Sequence, residues 1–79
     1  MDWDEDLDAT GLLCPLPVLR ARRRLEAMPP GAVLRLLADD PAALVDVPHF
    51  CAEAGHVLAE RADLGHPRYA WLIRRRAAA

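Results

Sequence analysis

Residues 12–31 read LLCPLPVLRARRRLEAMPPG, a single segment that holds a helix between two sets of punctuation. Val18, Ala21, Leu25 and Met28 recur at i, i+3, i+7 and i+10 and so share one face of a helix. Arg20, Arg22, Arg23 and Arg24 take the remaining surface. Pro29-Pro30-Gly31 ends the helix abruptly. At the other end, Pro15 suits the first helical position, where a missing N–H is no loss. Cys14 is then expected at the N-cap, with Pro17 stiffening the first turn.

Outward from this helix the pattern changes period. Residues 6–9 alternate polar and apolar, as a short strand does, and Thr10-Gly11 signals a turn. Residues 32–38, AVLRLLA, form a short apolar run between Gly31 and Asp39-Asp40-Pro41, which suits a buried strand. Asp40-Pro41 reads as a cap followed by an early helical proline, so 41–54 is expected to be helical. Pro48 is expected to break or restart that helix, and Gly55 to stop it. Residues 56–63 and 68–74 flank Leu64-Gly65-His66-Pro67 as a hairpin. The order is βαβαββ. It predicts a two-layer α/β sandwich of the α+β kind, with a four-stranded mixed sheet and two helices on one face. Residues 1–5 are expected to be an acidic tail, 6–76 a single domain and 77–79 a C-terminal tail.

Composition limits what such a chain does. Seventy-nine residues make one domain, too short for a large multi-substrate enzyme. The ten basic residues are all Arg and are outnumbered by twelve acids, giving a net charge of −2. There is no global basic excess to draw the chain onto nucleic acid. No apolar run approaches the ~20 residues of a membrane span. The acidic start, Met1-Asp2-Trp3-Asp4, is unlike a secretory signal, so the cytoplasm is expected. Two cysteines are too few for a disulfide scaffold and should rest as thiols there.

Cys14 is the residue most suggestive of chemistry. A thiol at a helix start faces the positive end of the helix dipole, which lowers its pKa and favours a thiolate. Such a thiolate serves as a nucleophile or an atom-carrying site. A small packed thiol before a helix is the plainer reading, and position alone leaves both open. No C-x-x-C partner is present, and His49, His56 and His66 are remote in sequence. Cys51 falls at the edge of the apolar face made by Val47, Phe50 and Ala54 and reads as a structural thiol. His49 and Cys51 are poorly spaced for zinc, so no metal and no cofactor is expected. Asp39-Asp40 is explained by capping.

Leu7-Asp8-Ala9-Thr10-Gly11-Leu12-Leu13-Cys14-Pro15-Leu16-Pro17 resembles the Cys-Pro-x-Pro signature of the TusA (SirA) family of sulfur carriers. The resemblance continues through Pro30-Gly31, Ala38-Asp39-Asp40-Pro41, Asp46-Val47-Pro48, Phe50-Cys51, Gly55-His56 and Tyr69 to Arg76. It implies the βαβαββ sandwich and a persulfide carried on Cys14, a sulfurtransferase role without independent turnover of a small substrate. Also implied are a cysteine desulfurase as donor and an acceptor protein in tRNA 2-thiouridine formation, molybdenum cofactor assembly or sulfur oxidation. Position 16 is Leu where the tRNA-thiolation carrier has Glu, which bears on the pathway. Pro15 and Pro17 are expected to support the motif, and Arg20, Arg22, Arg23 and Arg24 to dock partners. A monomer is expected. The alternative is a small RNA-binding or regulatory module that uses these arginines with Arg74, Arg75 and Arg76.

Overall fold

The computed structural model describes residues 2–77. Met1 of the expected tail, with Ala78 and Ala79 at the other end, lies outside the described residues. The elements run β1 (Glu5–Asp8), α1 (Leu16–Glu26), β2 (Val33–Ala38), α2 (Ala43–Ala54), β3 (Val57–Asp63) and β4 (Tyr69–Arg74). The sheet order is β1-β2-β4-β3. β1 runs parallel to β2, while β4 is antiparallel to both β2 and β3, so the sheet is mixed as expected.

Period-2 alternation divides the sheet into two faces. Leu7, Leu34, Leu36, Trp71 and Ile73 point into one core with Ala21 and Leu25 of α1 and Val47, Phe50 and Cys51 of α2. The opposite face carries Arg35, Glu60, Ala70 and Leu72 and is not covered by a helix. The stripe expected on α1 is the one buried: Ala21, Leu25 and Met28 are inside, and Val18 packs against them.

Two expectations need correction. Pro48 does not break α2, which runs unbroken across it. Proline removes one N–H from the ladder, but Val47, Phe50 and Cys51 around it are all buried. Their packing holds the two halves in line, so tertiary burial overrides the local signal.

The N-terminal residues are not loose either. Glu5 opens β1. The Asp4 amide donates to the Val33 carbonyl at 2.8 Å, and the Val33 amide donates to the Asp4 carboxylate at 2.7 Å. Trp3 lies over the Arg35 guanidinium, 4.3 Å from its ring centroid. These contacts are long-range in sequence, which is why composition alone suggested a tail.

Candidate functional site

The loop from Thr10 to Pro15 is assembled by carboxylates from across the fold. Gly11, in the left-handed region at φ +80°, donates its amide to Asp39 at 2.9 Å. The Cys14 amide donates to Asp40 at 2.6 Å, and the same carboxylate accepts from the Ala42 amide at 3.1 Å. Asp40 therefore caps the approach to α2, as its place before Pro41 suggested, and also clamps the Cys14 loop against that approach. The α-helix itself begins at Ala43, with Ala42 rather than Asp40 as its N-cap.

Cys14 is exposed at the tip of this loop, and Cys51 is buried in α2. Both are free thiols. Burial pushes the Cys51 thiol up to about 11, which fits the structural part expected of it. Cys14 lies one residue further from the helix than expected, because α1 begins at Leu16 with Pro15 at its N-cap.

The electrostatics at Cys14 are the reverse of the sequence expectation. Its Sγ donates to the Asp46 carboxylate at 2.8 Å. That hydrogen bond raises the thiol above its ordinary value, and the negative charges of Asp46 and Asp40 add to the effect. The helix dipole is present, but the first two positions of α1 offer Sγ no free amide. Leu16 gives its amide to the Leu13 carbonyl at 2.9 Å, and Pro17, the next helical residue, has no amide proton. At rest the site holds a protonated thiol aimed at a carboxylate.

Asp46 is the residue that sequence reading did not assign. The Asp46-Val47-Pro48 triplet is part of the family resemblance, but neither it nor local pattern gives Asp46 a role, and its pairing with Cys14 spans 32 positions. Replacing it tests the electrostatics directly. Asp46→Asn removes the charge that holds the proton on Sγ, so iodoacetamide alkylation of Cys14 at neutral pH is expected to rise on the order of tenfold. An unchanged or slower rate, in a variant with native circular dichroism, contradicts the account.

A shallow depression between the helices joins Cys14 to Val18, Arg22, Asp46, His49 and Phe50. His49 is exposed and pairs with Glu53 at 3.1 Å. The four arginines of α1 separate in space. Arg22 lies over the Phe50 ring, 5.2 Å from its centroid, within this depression. Arg20 and Arg23 flank Leu16 and Leu19 on a neighbouring surface. Arg24 is turned to the other side, where it meets Glu5 at 3.4 Å and the Asp6 carbonyl at 3.1 Å, tying α1 to β1. Arg24 is thus a brace, and the expected basic surface reduces to Arg20, Arg22 and Arg23. What composition did not reveal is the apolar rim: Leu13, Leu16 and Leu19 are 71%, 44% and 50% exposed beside Cys14. Pro17 is buried beneath them, whereas Pro15 is exposed.

The family model described as sulfurtransferase TusA matches residues 5–75. The chain belongs to the TusA family. It is 45% identical over 64 residues to the sulfur carrier protein TusA of Allochromatium vinosum, spanning 81% of this chain and 84% of that one. The fold is also that of a SirA-like protein from Desulfitobacterium hafniense, with a TM-score of 0.81 at 23% identity. That match covers 92% of this chain and 99% of the other. Within this TusA chain, Cys14 is the exposed cysteine and the one that sits in the Cys-Pro-x-Pro signature.

Proposed function

We propose that this TusA-family chain carries sulfur as a persulfide on Cys14, receiving it from a donor protein and handing it to an acceptor. The observation that carries the proposal is a solvent-facing thiol hydrogen-bonded at 2.8 Å to Asp46, at the tip of a loop clamped by Asp39 and Asp40. A carrier needs an accessible sulfur, a place for its proton and a surface for partners. It needs no deep pocket.

In the loading step, Cys14 Sγ attacks the outer sulfur of a persulfide on the donor. A new Sγ–S bond forms and the donor's S–S bond breaks. The bonding pair leaves on the donor cysteine as a thiolate, and the Cys14 proton passes to the Asp46 oxygen that already accepts it. No external oxidant or reductant is consumed. In delivery, an acceptor nucleophile attacks the outer sulfur, and the Sγ–S pair returns to Cys14, which regains its proton. The exposed Leu13, Leu16 and Leu19 with Arg20, Arg22 and Arg23 give both partners an apolar patch rimmed by positive charge.

A cysteine desulfurase is the donor class that fits this reading. The intact mass of the protein after incubation with such an enzyme and free cysteine tests it. A gain of one sulfur atom, removed by a reductant, is expected. No gain, together with salt-sensitive RNA binding, would move the protein to the RNA-binding alternative.

A further inference from the structure

A second depression, about 230 Å³, continues the one at Cys14 along the seam between α1 and α2. The two share Arg22, Phe50 and Glu53. At its far end stand His56, Arg75 and Arg76, where β4 leaves the sheet, and Glu26 lines its side. We infer that this seam is an anion-receiving subsite that docks a short acidic peptide segment of a protein partner beside the carrier cysteine.

The subsite is built from ordered parts. Arg22 is laid over Phe50, and Phe50 packs against the His56 ring at 5.6 Å between centroids, tilted by 56°. The Arg76 amide donates to His56 Nδ1 at 3.0 Å, which leaves the ring proton of neutral His56 on Nε2 as a further donor. Arg75 is fixed by donating from Nε to the Leu25 carbonyl at 2.7 Å. Among the described residues, no carboxylate lies within ion-pairing distance of Arg22, Arg75 or Arg76.

Three guanidinium groups therefore line one depression with no ion-paired carboxylate among the described residues, Glu26 and Glu53 standing on its wall beyond pairing distance, and His56 registers their field. Partial burial and then the charges of Arg76, Arg75 and Arg22 hold its pKa below the ordinary histidine value, against an opposing pull from Glu26. An incoming carboxylate offsets that field.

The charge pattern along the seam selects a short acidic peptide over a polynucleotide. Glu26 and Glu53 line the arginine end, and Asp40 and Asp46 stand at the Cys14 end. A phosphodiester chain has a charge at every step and would run past four carboxylates. A peptide with one or two acidic residues places its charges at Arg22, Arg75 and Arg76, which outnumber Glu26 and Glu53 at that end, and none at Asp40 and Asp46.

The identity of the partner rests on the carrier reading, whereas the preference of the seam for carboxylates does not. Binding is therefore read on sulfur-free protein, where failure of one leaves the other standing. The probe is a blocked peptide with two adjacent glutamates, compared with its glutamine counterpart and with a tetrauridylate, at low salt by NMR. The acidic peptide is expected to shift the resonances of Arg22, Arg75, Arg76 and His56 and to raise the titration midpoint of His56. Arg22→Gln and Arg76→Gln, each confirmed as folded from its own spectrum, should together weaken binding by about tenfold. Three results would overturn the inference: no shifts at these residues, equal binding by the folded double variant, or tighter binding of the tetrauridylate.

Discussion

Cys14→Ser is expected to take up no sulfur at all from a cysteine desulfurase while keeping the fold. Its side chain is exposed, so no core contact is lost. A serine hydroxyl can still donate to Asp46, and the backbone amide of residue 14 still reaches Asp40. What disappears is the only atom in the loop able to form a sulfur–sulfur bond. Intact mass after incubation should show no added sulfur in a variant with native circular dichroism. The control is Cys51→Ser. Its thiol is 2% exposed and held in the protonated form by burial, so this variant should still load on Cys14. Loading of the Cys14 variant would remove the carrier assignment, and loss of loading in a folded Cys51 variant would give the buried thiol a part it is not assigned here.

Trp71→Ala is expected to be the most damaging single change to stability. Trp71 is fully buried at the centre of β4, paired with Leu36 of β2 on one side and Arg61 of β3 on the other. Removing a core tryptophan costs about 3–5 kcal/mol. Small domains have only about 5–15 kcal/mol in total, so most of the stability would go. Each kcal/mol also lowers the melting temperature by roughly 4–8 °C at this size. Trp71→Phe should cost less, because Trp71 Nε1 has no hydrogen-bond partner among the described residues. Removing that stranded donor recovers part of a desolvation penalty of about 1–3 kcal/mol. Urea unfolding of both variants checks the ranking. A Trp71→Ala loss below about 1 kcal/mol would mean that the β4 core is far more plastic than its packing implies.

The six elements were legible because each is bounded by residues with a local reason to bound it. Pro29-Pro30-Gly31 ends the region of α1, and Gly55, left-handed at φ +79°, ends α2 with the His56 amide on the Cys51 carbonyl. The apolar stripe of Ala21 and Leu25 and the alternation of β2 and β4 gave the faces. What stayed hidden is carried by pairs distant in the chain. Asp46 meets Cys14 across 32 positions, and Asp40 meets it across 26. A helix-start cysteine read locally suggests an acidic thiol, and only the fold brings two carboxylates close enough to reverse that. Pro48 is the same lesson in packing: its local meaning is a break, and the buried side chains around it decide otherwise.

The contrast between the two cysteines has a practical corollary. Because Cys51 is sealed in the interior and chemically quiet, a maleimide dye or a nitroxide added to the native protein has one destination. That destination is the loop tip where partners are expected to arrive. The wild-type chain is thus its own single-site reporter, and a label on it would sense each docking event directly, with no engineered cysteine and no background from a second thiol.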